Sequence, residues 1–424
     1  MKNICLVIDP ISTSVHLPKA LKAYGFKVVG IYTKTVKSEL MKQINLLDLD
    51  LVIQQSQLAW PEEVNIEKVA YVIPGADSGV YLADYLAGIA KINHSNPHQT
   101  SELRRNKYVM IEAVTEAGLA SIRQKKCYSP EQTYEFLKVN KIIKAVVKPQ
   151  EGMGSDQVWI CDTVESATNA ASQILMNPNI FGDRNDSVLV QEFIEGDEYM
   201  IDTISVDGRH RIIAAWESYL GRSQSPTPLH ADAIDHTHLI YSALANYAQK
   251  ILDVLDVKFG AAHIEIKHNP KTSTFYLIEL NQRFHGSMSV FFSTMVYGTN
   301  QVAELAAAMA NPDQYKSTTN IMPTKKKHGR KVYLRSCIEG TVRKDLNSIY
   351  ENKFESIVDI MSRATVGKSL TKTTSLATSP GTIFLCNENP EILNQDFDKI
   401  RETENLAMHS LITETETGYE FILQ

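Results

Sequence analysis

Glu265, Glu279, Asn281 and Arg283 are the residues of this sequence best placed by type and spacing to act together on a charged ligand. They fall in GAAHIEIKHNPKTSTFYLIELNQRFHG, residues 260–286, where His263 to Lys267 and Phe275 to Leu280 flank a turn at Asn269 and Pro270. Alternate residues of an extended chain share a face. If the two stretches pair, Glu265, Glu279 and Asn281 point the same way and offer hard oxygen ligands for Mg²⁺, with the fixed cation of Arg283 just beyond. Such a group is suited to phosphate. On a solvated hairpin edge the same residues would be inert. However, Glu265 sits between Ile264 and Ile266, and Glu279 between Ile278 and Leu280. Strands that apolar are buried on one face, where unpaired carboxylates are costly and a bound cation offsets the cost.

Three upstream pieces carry related chemistry. Lys148 ends a predicted strand directly before Gly152, Met153, Gly154 and Ser155. A Gly/Ser loop exposes backbone N–H groups to phosphate oxygens, and a nearby Lys adds a point charge. Alone, this pattern is an ordinary turn, and it is not a Walker A loop because no GK[ST] closes it. Lys107, which opens a helix after two arginines and an Asn, reads by itself as a solvated residue. In Gln191-Glu192-Phe193-Ile194, followed by Glu198, a strand edge could pair with a purine, an apolar side chain could cover the ring, and a carboxylate could accept both ribose hydroxyls. The competing reading is a core strand with a surface acid.

The elements that must position these residues follow from apolar periodicity. NICLVI, a Ser/Thr-rich loop, a helix stopped by Gly25 and a second apolar run open a parallel α/β unit, continued by strands near 48–56 and 68–75 and a helix after GADSG. The polar stretch 93–106 marks a boundary, followed by helices starting near Lys107 and at Ser129-Pro130. Residues 187–217 read as antiparallel strands turning at Gly196 and at Asp207-Gly208. Residues 218–235 read as an ordered or ligand-gated loop, and KKKHGRK (325–331) as a loop before a final small domain that closes with a helix and GYEFILQ.

The totals set limits. A chain of 424 residues with 43% hydrophobic and 22% charged residues predicts several globular domains. A net charge of −6 argues against binding nucleic acid through bulk electrostatics. Five scattered cysteines without a CxxC pair indicate neither a disulfide framework nor a zinc site. The N-terminal apolar run is too short for a signal peptide, and no stretch approaches the ~20 apolar residues that span a bilayer. The expectation is a cytoplasmic, soluble protein.

In order, Lys107, Lys148 with GMGS, QEFIEGDE, HIEIK and IELNQRFHG resemble the motifs of the ATP-grasp superfamily. Within it, IDPISTS, IPGADSGVYLADYL, RRNKYVMIEAVTEAG and GAAHIEIK are most similar to the L-amino acid ligases, the dipeptide synthetases. Two departures are Asp77, where Glu is expected, and Gln191, where many members place an acid. The resemblance implies α/β architecture with α+β lobes. It assigns a Rossmann-like pre-ATP-grasp domain to 1–103, a central lobe to 104–187, a large lobe with the metal site to 188–330 and a small lid-like C-terminal domain to 331–424. It implies ATP and two Mg²⁺, with Mn²⁺ as a substitute. Lys107 and Lys148 would contact phosphates under the Gly152–Ser155 loop. Gln191, Glu192, Phe193 and Ile194 would meet adenine and Glu198 the ribose. Glu265, Glu279 and Asn281 would hold metal, and Arg283 would stabilise the transferring phosphoryl group. Asp77, His263, His285, Gly286 and Ser287 are candidate substrate contacts. The implied activity is an ADP-forming ligation of a carboxylic acid to the amine of an amino acid, with no nucleic-acid or membrane partner and with homodimerisation open. The alternatives are an ATP-grasp carboxylase and a non-catalytic nucleotide-binding module.

Overall fold

The run Ile4–Ile8 (β1) is apolar throughout, the composition of a strand covered on both faces. It lies in a parallel sheet with Lys27–Tyr32 (β2), Leu51–Gln54 (β3) and Val69–Pro74 (β4), in the order β3-β2-β1-β4. The computed structural model describes residues 2–33, 48–55, 57–150, 152, 154–179, 182, 184–221 and 227–412. One face of this sheet packs Leu6, Ile8 and Ile31 against Leu82, Ala83 and Leu86 of the helix Val80–Ile89. The other packs Cys5, Val7 and Val28 with Leu305 and Ala306 of the helix Gln301–Ala310.

At the C-terminal end of β1, Asp9 is fully buried and accepts from Thr33 N at 2.7 Å, Thr33 Oγ1 at 2.8 Å and Ser78 Oγ at 2.5 Å. This carboxylate ties the turn carrying Asp77 to the sheet. Gly79 completes the approach, since a Cβ there would lie 2.7 Å from the carbonyl oxygen of Ile8. Gly79→Ala is therefore expected to destabilise the fold by about 1–3 kcal/mol, as overpacking does. An unchanged melting temperature would show that the helix start can move aside.

Further along are Gln124–Cys127 (β5), Ala145–Pro149 (β6), Trp159–Cys161 (β7) and Val188–Glu192 (β8), an antiparallel sheet in the order β5-β8-β6-β7. The helices Pro130–Val139 and Val164–Met176 cover it through Leu137, Ala167, Ala171 and Ile174. Asp197–Val206 (β9) and Arg209–Leu220 (β10) turn at Asp207 and Gly208, both with positive φ. Pro228–Ile234 (β11), Phe259–Asn269 (β12) and Thr274–Asn281 (β13) follow. His328–Tyr333 (β14), Gly340–Thr341 (β15), Ile357–Ser362 (β16), Ser369–Leu370 (β17) and Gly381–Asn387 (β18) complete the strands, before the helix Pro390–Ile412. No helix among the described residues is long and apolar enough to cross a membrane.

The chain forms two compact units. The first comprises Met1–Ile122, Glu198–Ala215 and Ile234–Thr324, and the second Arg123–Asp197, Trp216–Ala233 and Lys325–Gln424. In the first, the order β13-β12-β9-β10 adds an antiparallel layer to the parallel sheet. In the second, β11-β14-β18-β16 packs on the C-terminal helix through Val332, Ile383, Leu385 and Ile400.

Three sequence expectations change. Most of 218–235 is strand, in β10 and β11, with 222–226 outside the described residues. Gly221 N donates to the Thr227 carbonyl at 3.1 Å between the two strands. KKKHGRK is not all loop, because β14 begins at His328. Within it Lys331 is 1% exposed with its ammonium 5.0 Å from the Tyr333 ring, and Arg330 pairs with Asp232 on β11. Partnered charges disguise the strand. The helix Val290–Tyr297, capped by Ser289 and closed by Gly298 at φ 78°, is an element the periodicity did not reveal. GYEFILQ lies outside the described residues.

Candidate active site

β12 and β13 pair in the register His263 opposite Asn281, Ile264 opposite Leu280 and Glu265 opposite Glu279, with an irregularity just after Glu265. Ile264 and Leu280 turn into the core. The opposite face therefore carries His263, Glu265, Glu279 and Asn281 together, as strand alternation requires. The bulge is a local device that re-aims side chains. It falls where the two carboxylates face each other.

This face is already an ionic lattice. Lys107, at the start of the helix Lys107–Glu116 and N-capped by Asn106, places Nζ 2.9 Å from Glu279 Oε1. Arg283 Nε donates to Asp77 Oδ2 at 2.9 Å and its Nη1 to the carbonyl of Phe284 at 2.8 Å. In the amide orientation that satisfies both neighbours, Asn281 donates to Glu279 Oε1 and Asp77 Oδ1, each at 3.1 Å. Lys107 and Asp77 thus join the residues of the hairpin.

The electrostatics favour the ionised forms of Asp77, Glu265 and Arg283. Burial raises the Asp77 carboxyl, but Arg283, Arg105 and Lys107 more than compensate, leaving it below the ordinary range. Burial also opposes ionisation of Glu265, and the bond and charge of His263, with Arg283 and His285, bring it below its usual value. Burial favours the neutral form of Arg283, and Asp77, Glu279 and Glu265 reverse this. Two opposed carboxylates with an amide are hard oxygen donors of the kind Mg²⁺ takes, so the residues present fit that ion.

A further acid was not singled out from sequence. Asp202 on β9 is 2% exposed and contacts both His263 and His285 through Nδ1, at 2.8 and 3.1 Å. Its signal was a lone acid within the apolar run Tyr199–Val206. Burial would raise its carboxyl, but the two imidazoles hold it far below the usual range. Asp77, Asp202 and Glu265 all have depressed folded values. Their stabilisation is therefore complete above the unfolded carboxylate range and lost as pH falls through about 4 toward the folded values. Thermal unfolding followed downward in pH should show Tm falling there, and the fall should be smaller in Asp202→Asn.

The turn after the hairpin is anchored by Ser12 and Thr13 and by Gln301 of the same unit. Thr13 Oγ1 donates to the His285 carbonyl at 2.6 Å, Ser287 N donates to Ser12 Oγ at 2.8 Å, and His285 N donates to Gln301 Oε1 at 2.9 Å. Ser287 takes a positive φ of 49°, and a Cβ on Gly286 would lie 3.8 Å from Arg283 Nη1. Asp77, His285, Gly286 and Ser287 thus sit around Arg283 and the turn that follows it, while His263 is opposite Asn281.

The second unit carries the remaining expected residues. Lys148 lies on β6 and is 7% exposed. Gly154 and Ser155 both take positive φ, 62° and 60°, and the Gly154 carbonyl accepts from Leu376 N at 3.0 Å. Gly152 is half-buried, and Met153 lies outside the described residues. Gln191 is buried, its Nε2 donating to Gln124 Oε1 at 3.0 Å. Glu192 accepts from Arg123 N at 2.9 Å and Nε at 2.7 Å, and Phe193 packs under the Lys144 ammonium at 4.3 Å. Ile194 follows at the end of this edge. Glu198, in β9, belongs to the first unit.

The chain has the ATP-grasp fold, and residues 142–290 match the ATP-grasp domain family. Proteins of this class handle ATP together with Mg²⁺. Along its length the chain is similar to dapdiamide A synthase of Enterobacter agglomerans, 26% identical over 417 residues covering 95% of this chain and 96% of that protein. Its fold is similar to the crystal structure of L-amino acid ligase from Bacillus licheniformis, with a TM-score of 0.72, 17% identity, and 95% and 97% of the two chains covered. It is also similar to the biotin carboxylase domain of Hydrogenobacter thermophilus 2-oxoglutarate carboxylase, crystallised with MgADP and bicarbonate, with a TM-score of 0.64, 14% identity, and 100% and 93% covered.

Proposed function

We propose that this chain is an ATP-dependent, ADP-forming carbon–nitrogen ligase that joins a carboxylic acid, such as an amino acid, to the amine of an amino acid. The observation that carries this reading is Glu265 opposite Glu279, with Lys107, Arg283 and Asp77 gathered about them. Similarity to dapdiamide A synthase over nearly the whole chain supports it.

An amine does not displace oxide from a carboxylate. The carboxylate oxygen therefore first takes the γ-phosphoryl group of ATP, releasing ADP. The amine then attacks the acyl phosphate carbon, the C–O bond to phosphate breaks, and the amine loses a proton. In the first unit, Arg283 would neutralise charge on the transferring phosphoryl oxygens and Lys107 would bind phosphate after leaving Glu279. Glu265, Glu279 and Asn281 would hold two Mg²⁺, replaceable by Mn²⁺, which when bound supply charge neutralisation at the phosphates. In the second unit, Lys148 and Gly152, Gly154 and Ser155 would hold phosphate, and Gln191 to Ile194 the adenine. Glu198 would take the ribose. Asp77, His285, Gly286 and Ser287 would line the acceptor side, with His263 beside Glu265. The stretches 1–103, 104–187, 188–330 and 331–424 would be the functional parts.

Incubating the protein with ATP, Mg²⁺ and a matrix of amino acids, and following ADP and product masses, tests the reading. ADP release that needs both an acid and an amine, with a product lighter than their sum by one water, is expected. Release with bicarbonate or a single acid alone would identify a carboxylase or other small-acid enzyme instead. ATP binding without turnover across the matrix would favour a nucleotide-binding module.

A further inference from the structure

Asp202 projects from the middle of β9 into a place where water does not reach, and a carboxylate there requires partners for both oxygens. It has them. Oδ1 is bonded to His263 Nδ1 at 2.8 Å and Oδ2 to His285 Nδ1 at 3.1 Å, and the two rings lie 4.1 Å apart at 37°. Neither imidazole is more than 4% exposed. A carboxylate only accepts, so each Nδ1 must carry a proton. One side chain therefore fixes the Nδ1 proton and the ring orientation of both histidines, and His263, with a carboxylate at each nitrogen, donates from both.

What these rings touch gives the arrangement its direction. His263 Nε2 lies 3.5 Å from Glu265 Oε1, so the imidazole spans from Asp202 to a residue assigned above to the metal. His285 is two residues beyond Arg283, in the turn already gripped by Thr13 and Gln301 through its backbone. Asp202 thus joins β9, β12 and the segment after β13 at one buried point. A core position filled for packing alone would take an apolar side chain at less cost.

We infer that Asp202 is a positioning residue for the phosphate site, holding through His263 the Glu265 carboxylate opposite Glu279 and through His285 the turn that carries Arg283. The inference rests on the proposed assignment of Glu265 to a metal. Groups that orient a ligand from behind typically contribute roughly 10–100-fold to metal affinity or activity.

Asp202→Asn tests it, because it keeps shape but turns an NH₂ toward one of the two imidazole N–H groups. Nitrogen NMR of the nucleotide-free protein labelled with ¹⁵N-histidine is expected to show a protonated Nδ1 for both His263 and His285 in the parent and the loss of one of these signals in the variant. Mn²⁺ titration by electron paramagnetic resonance should weaken by roughly 10-fold or more. His285→Asn, whose amide N–H falls near the Nδ1 position, should bind Mn²⁺ like the parent, whereas His285→Leu should not. That pair decides the matter if Asp202→Asn fails to fold. Unchanged Mn²⁺ affinity with both Nδ1–H signals retained in Asp202→Asn, or equal behaviour of the two His285 variants, overturns the inference. So would tetrahedral Co²⁺ absorption that disappears in Asp202→Asn, which would make the cluster a metal site itself. None of these readouts needs turnover, so a failure of the ligase reading leaves them intact and shows separately as absent product in the parent.

Discussion

Glu279→Gln is expected to lower substrate-dependent ADP release by roughly 10²–10³-fold, the scale of losing one preorganised charge at a reacting phosphoryl group. Two effects combine. The substitution removes one ionised donor from the pair facing across β12 and β13. It also leaves Lys107, 8% exposed, without the carboxylate that holds it at 2.9 Å. The two effects are separable by a double-mutant cycle with Lys107→Met. If Glu279 acts mainly by placing Lys107, the double variant should be no worse than Lys107→Met alone. If it acts mainly on the metal, raising Mg²⁺ should recover part of the rate in Glu279→Gln but not in Lys107→Met. Full substrate-dependent ADP release by Glu279→Gln would remove Glu279 from the site.

Arg283→Ala should have an effect of similar size, roughly 10²–10³-fold on kcat, with Arg283→Lys intermediate because an ammonium lacks the planar fork. The substitution also strands Asp77, whose carboxylate owes its low protonation tendency first to Arg283 among its neighbours. The pair is neither exposed nor sealed, with side chains 19% and 23% accessible. Breaking it is expected to cost about 1–3 kcal/mol, between the values for surface and buried pairs. Urea unfolding of Arg283→Ala and of Arg283→Ala/Asp77→Asn distinguishes the contributions. The second change should restore stability without restoring rate. Recovery of both would mean that Arg283 serves the fold and not the chemistry.

The hairpin was legible from sequence because alternation holds on either side of its bulge, although the bulge itself, which sets Ile266 opposite Leu277, was not. Apolar Ile264, Ile266 and Leu280 interleave with Glu265, Glu279 and Asn281, and only one register buries the first set. The helix starts at Lys107 and Ser129 were legible for a similar local reason, with Asn106 and Ser129 capping as their types predict. Asp202 was not, since nothing in a single strand tells whether a lone acid is buried against partners supplied by two other segments. The Arg283–Asp77 pair spans 206 positions and belongs to the same category. The first residues of β14 were hidden for the opposite reason: Arg330 and Lys331 look solvated until Asp232 and the Tyr333 ring are placed beside them.

The pairing of Lys107 with Glu279 and of Arg283 with Asp77 bears on affinity. If this face receives a nucleotide as proposed, its phosphates would not meet bare cations waiting for anions. Each phosphate oxygen that takes Lys107 or Arg283 must first displace a carboxylate. Recognition would then be an exchange of partners, nearly balanced in charge, and the Michaelis constant for ATP is expected to vary little with ionic strength where an open basic cleft would show a steep dependence.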